Sequence, residues 1–85
     1  MALILHLAMK EVFIKKYWDE EDVLYYLHFQ DGDALRQIEI SKGIKVCYNV
    51  SDPTQAEFVY DQKLEELELE EKDFITKEEF DKAWA

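Results

Sequence analysis

Three turn signals in the first half of the chain, Asp19-Glu20-Glu21-Asp22, Asp31-Gly32-Asp33 and Lys42-Gly43, separate segments rich in β-branched and aromatic residues. Such segments read as antiparallel strands joined by hairpins: glycine takes the positive φ that a tight turn demands, and branched or ring side chains fill a pleated surface. Four strands are expected, over residues 11–18, 23–30, 34–41 and 44–50. In the second, Val23, Tyr25, Leu27 and Phe29 share one face at period two, while Leu24, Tyr26 and His28 share the other. Rings on both faces predict a central strand covered on two sides. The third sets Arg36, Ile38 and Ile40 against Leu35, Gln37 and Glu39. In the fourth, Ile44, Val46, Tyr48 and Val50 alternate with Lys45, Cys47 and Asn49, the clearest half-buried pattern in the chain. Residues 51–55, with the only proline at Pro53, close the sheet region.

The last third changes character. Glu-rich composition over 61–72 predicts a short helix, although Leu64 and Leu67 lie three apart while Leu67 and Leu69 alternate. Thr76 with Glu79 has the spacing of a capping box, and Ile75 with Phe80 that of a hydrophobic staple. Phe80, Ala83 and Trp84 then share one helical face, with Trp84 expected to close the core. The fold class is α+β: an antiparallel four-stranded meander with one or two short C-terminal helices packed on it.

Eighty-five residues suffice for one core, so residues 11–85 are expected to form a single domain. Residues 1–10 form an apolar arm, an extra strand or an extension. Leu3, Leu5 and Leu7 alternate in it, and Met9 offers an alternative start. The arm is too short to span a bilayer and lacks a leader's basic region and cleavage site, so neither signal peptide nor anchor is expected. A lone Cys47 excludes an intramolecular disulfide and fits a reducing cytoplasm.

The formal charge of −10 repels phosphate backbones and anionic bilayers, which speaks against nucleic-acid and membrane partners. Residues 57–81 alone hold eleven acids against Lys63, Lys72 and Lys77, a local −8. Within them, Asp73-Phe74-Ile75-Thr76-Lys77-Glu78-Glu79-Phe80 resembles the end of a calcium-binding EF-hand loop. Aligning Ile75 and Glu79 on the apolar and bidentate positions puts Lys72 on a ligand position and Asp73 where glycine is required. The site fails on that register. His6 and His28 are far apart in sequence, Cys47 has no cationic neighbour, and carboxylate spacing carries no specificity among twenty acids. No catalytic residue, metal or cofactor is expected. Tyr17, Trp18, Tyr25, Tyr26 and Tyr48 are candidates for a partner surface, with most of these rings needed in the core.

From Val23 to Tyr48 the chain resembles an uncharacterised family of small bacterial domains. The resemblance rests on Leu35-Arg36-Gln37-Ile38-Glu39-Ile40, the Gly43 turn, Tyr48, and Glu78-Glu79-Phe80-Asp81-Lys82-Ala83-Trp84 after an acidic stretch. The family's early Trp and His, two residues apart, have no counterpart in Lys15-Lys16-Tyr17-Trp18. The resemblance implies a compact bacterial α+β domain without an assigned activity. Charge then points to a non-enzymatic binding or regulatory module, immunity-like, that docks a basic protein. Its candidate docking residues are Asp19, Glu20, Glu21, Asp22, Glu65, Glu66, Glu68, Glu70 and Glu71. The alternatives are a stand-alone housekeeping domain whose acidity serves solubility, and a small-molecule binder using His28, Arg36 and Glu39.

Overall fold

The computed structural model describes residues 10–85. The expectations for the arm therefore lie outside the described residues, Lys10 excepted. Among the described residues the strands are β1 (Glu11–Trp18), β2 (Val23–Gln30), β3 (Asp33–Ser41), β4 (Ile44–Asn49) and β5 (Phe74–Ile75), and the α-helix is α1 (Lys77–Trp84). They form an antiparallel α+β domain with sheet order β4-β3-β2-β1-β5. The expected meander is present, and the four-strand count is corrected to five. Phe74 and Ile75 return to pair with Ile14 and Phe13 and cover the β1 edge. Two residues are too few for a periodic signal, so β5 is set by tertiary context.

The turns behave as their residues dictate. Asp31 and Gly32, then Lys42 and Gly43, all take positive φ, the conformation that matches a two-residue hairpin to the twist of its strands. Leu35 is a bulge: Phe29 pairs with Ala34 while His28 pairs with Arg36. The extra residue turns Ala34 to the side of Ile14 and Phe29, which strict alternation denies it.

Two cores result, one on each face of the sheet. On the first face Ile14, Leu27, Phe29 and Ala34 are buried beneath Val59, with Tyr60, Leu64, Leu67 and Leu69 packed over them. On the second, Phe13, Tyr26 and Ile38 bury against Phe80 of α1, flanked by Ile75, Ala83 and Trp84. β2 is thus central and covered on both faces, as its rings require.

The covering segment is not the expected helix. Residues 64–66 and 71–73 are single 3₁₀ turns with extended chain between them. Both conflicting periods are realised: a 3₁₀ turn brings Leu64 and Leu67 to one side, and extended chain then brings Leu69 to it. Thr76 does cap α1, accepting from the Glu79 backbone N–H at 3.1 Å, but the Glu79 carboxylate turns to Lys15 at 3.9 Å. The reciprocal box forms one turn earlier, between Glu70 and Asp73. Asp73 is 6% exposed; its carboxylate accepts from the Glu70 backbone N–H at 2.8 Å and sits 3.5 Å from the Lys16 ammonium.

β4 departs from expectation. Ile44 is 66% and Val46 40% exposed, because the covering segment stops short of this outer strand. Tyr48 is covered by that segment, and Cys47 packs on the α1 side. Lys45 binds the C-terminal end of the helix, donating to the carbonyls of Ala83 at 2.9 Å and Ala85 at 2.7 Å.

Candidate functional site

Period-two alternation sends Ile14, Lys16 and Trp18 of β1 to the first face, beside Tyr25 and Leu27 of β2 and Gln37 and Glu39 of β3. Phe58, Tyr60 and Leu67 close over this ground and leave an open cleft of about 380 Å³. Its floor is Ile14 and Leu27; its walls are rings; its rim carries Glu21, Glu39 and Lys16. The volume lies within the about 300–1,000 Å³ typical of ligand sites.

Gln37, 5% exposed, organises the cleft from below. Its amide nitrogen donates to the Glu39 carboxylate at 2.7 Å and to the Phe58 carbonyl at 3.2 Å, and its amide oxygen accepts from the Tyr60 backbone N–H at 2.8 Å. One side chain thus fixes both covering rings and one rim acid. Tyr25 donates to Glu21 at 3.0 Å. Burial, that bond and the nearby Glu39 charge push the Tyr25 phenol up to about 12.

A second groove shares Lys16, Trp18, Tyr60 and Leu67 with the cleft, and Asp19 and Glu20 of the first turn line it together with Glu66 and Glu68. Five of the acids named from sequence therefore border two adjoining depressions, Glu21 on the cleft and Asp19, Glu20, Glu66 and Glu68 on the groove beside it. The others lie elsewhere. Asp22 accepts from the Tyr17 hydroxyl, Glu65 stands near Gly32 at the opposite end of the sheet, Glu70 joins the capping box and Glu71 is exposed in the same turn. The acidic stretch 57–81 does not run along one side: it crosses the first face, rounds the β1 edge and ends on the second. Trp18 and Tyr25 were among the surface candidates; Phe58, Tyr60 and Glu39 were not. Strand parity already aligned Trp18, Tyr25 and Glu39, but nothing local in the sequence announced which loop rings would meet them.

On the second face a polar chain runs beneath α1. Arg36 Nε donates to His28 Nδ1 at 3.0 Å, so His28 Nε2–H donates to Glu11 at 3.0 Å, and Arg36 lies 3.5 Å from Asp81. The guanidinium also stacks 4.7 Å from the Phe80 ring and 5.0 Å from Trp84, while His28 stacks on Phe13 at 4.5 Å. His28 and Arg36 share this face and Glu39 does not, so the three-residue small-molecule site is not assembled. Every buried side-chain N or O among the described residues has a partner, those of this network included.

Desolvation lowers the His28 pKa below its usual value, partly offset by the Glu11 bond. The folded state therefore resists a proton that the unfolded chain accepts below about 6.5. The contribution of His28 to stability is full above that pH and is expected to fall as pH drops from there toward the folded pKa. Urea midpoints between pH 7.5 and 5.5 should show this slope, and His28→Gln should remove it; an unchanged slope in that variant would contradict the assignment.

Compared with known proteins, the chain matches no family model, no curated sequence and no solved structure. No helix among the described residues is long and apolar enough to cross a membrane, and no group of three or more His, Cys, Asp or Glu there is placed to hold a metal ion.

Proposed function

We propose that this domain is a non-enzymatic binding module that docks a basic protein on the first face of its sheet, in the manner of an immunity-like inhibitor of a cationic effector. The observation that carries the reading is the convergence of Asp19, Glu20, Glu21, Glu66 and Glu68 on two adjoining depressions walled by aromatic rings, of which Trp18 and Phe58 are exposed. Trp and Tyr anchor interfaces, and acids around them steer a cationic partner inward. Acidity that served solubility alone needs no such focus, since it can be spread over the surface.

Peptide display against the immobilised domain at low salt is the test. Recovered sequences should be enriched in clustered Lys and Arg, with recovery falling steeply toward 1 M salt. Enrichment of neutral or acidic sequences, or recovery indifferent to salt, would contradict the reading and favour the housekeeping alternative.

A further inference from the structure

Trp18 and Tyr25 come from the two strands of the first hairpin and meet edge to face, with ring centroids 6.3 Å apart and planes at 84°. They form two nearly perpendicular walls of the cleft, and Phe58, 52% exposed, offers a further ring over it. Glu21 and Glu39 are engaged only by neutral donors, the Tyr25 hydroxyl and the Gln37 amide. Lys16, the cation on the lining, is held toward Asp73 at 3.5 Å. Among the described residues neither Glu21 nor Glu39 takes part in an ion pair.

Glu39 is partly buried and Glu21 exposed beside these apolar walls, and neither has a cationic partner, so the arrangement gains when a cation enters. The raised Tyr25 pKa reports the same combination of partial burial and negative charge. Cation chemistry then decides the occupant. An ammonium is compact and strongly hydrated, whereas a guanidinium is planar, weakly hydrated, stacks on aromatic faces and presents several N–H donors to carboxylates. Arg36 already behaves this way on the other face, stacked on Phe80 and Trp84.

Resting on the docking reading above, we infer that the cleft seats an arginine side chain of the basic partner, its guanidinium stacked against Trp18 and paired with Glu39 and Glu21. A lysine side chain and a neutral planar side chain are discriminated against. This gives the docking face a centre and makes partner choice depend on one residue type.

The two tryptophans supply a built-in control, because Trp18 lines the cleft and Trp84, at the end of α1, packs on the opposite face. In NMR titrations, N-acetyl-arginine amide should shift the Trp18 indole N–H saturably and leave that of Trp84 in place. N-acetyl-lysine amide and the neutral N-acetyl-citrulline amide should each bind at least about tenfold more weakly. Glu39→Gln and Glu21→Gln should each weaken arginine binding with the remaining spectrum preserved. Equal binding of citrulline or lysine, equal movement of Trp84, or indifference to both Gln variants would overturn the inference. Basic peptides that bind the domain equally well in wild type, Glu39→Gln and Trp18→Ala would overturn it while leaving the docking reading intact. If no basic peptide binds, the docking reading falls with it.

Discussion

Truncating Phe80 to alanine is expected to cost about 3–5 kcal/mol, the range for removing a buried ring. Phe80 is fully buried and joins the second core to the polar chain beside it: its ring lies 5.5 Å from Phe13, 5.8 Å from His28 and 6.0 Å from Trp84 between ring centroids, with the Arg36 guanidinium over its face. A chain of this length commands only about 4–13 kcal/mol in total, so the loss takes much of the domain's stability. The melting temperature should drop by about 12 °C or more. Trp84, the ring that sequence pattern favoured, is only half-buried, and Trp84→Ala should cost less than Phe80→Ala. Chemical denaturation of both variants checks the order. A Phe80→Ala cost under about 1 kcal/mol would show that α1 does not close the second core.

Gln37→Leu is expected to cost about 2–4 kcal/mol, although leucine matches the size of the residue it replaces. The substitution removes the donor to the Phe58 carbonyl and the acceptor for the Tyr60 backbone N–H, and each unsatisfied buried group carries its own desolvation cost. The damage should be local as well as global. Hydrogen exchange should show the Tyr60 amide losing protection far more than the β2–β3 ladder, because Gln37 ties the covering segment to the sheet. Unchanged exchange at Tyr60 would mean that the segment is held by its leucines alone.

The sheet was legible because its signals are local. Asp31-Gly32 and Lys42-Gly43 specify tight hairpins by their φ angles, and the rings of Val23–Gln30 on both faces demand a central strand. What escaped depends on tertiary context. The Leu35 bulge sets His28 beside Arg36, and no composition rule announces one extra residue in a strand. The alternation of Ile44 and Val46 has the pattern of a core face, yet β4 is an edge whose outer end is left exposed among the described residues. Alternation records which residues share a face; only packing decides whether that face is covered.

The candidate site was legible by charge and only half legible by geometry. Of the nine acids that charge singles out, the turn Asp19–Asp22 places Glu21 on the cleft and Asp19 and Glu20 on the groove beside it. The longer run 65–71 contributes Glu66 and Glu68 alone, because 3₁₀ turns and extended chain point successive carboxylates in different directions. Glu39 was known to oppose Ile38 and Ile40. Its place beside Tyr25 follows from the β2–β3 register, which pairs the two directly.

The measurement that bears most directly on the docking account is the association rate of a display-selected basic peptide as a function of ionic strength. It should be run on wild type and on a variant carrying Asp19→Asn, Glu20→Gln, Glu66→Gln and Glu68→Gln. Screening shortens from about 10 Å at 0.1 M to about 3 Å at 1 M salt, so steering by these acids acts at low salt and vanishes at high. The account predicts that the variant associates several-fold more slowly at low salt, that the two rates converge at 1 M, and that the variant's stability is equal or higher because like charges are gone. Equal association rates at low salt would contradict it.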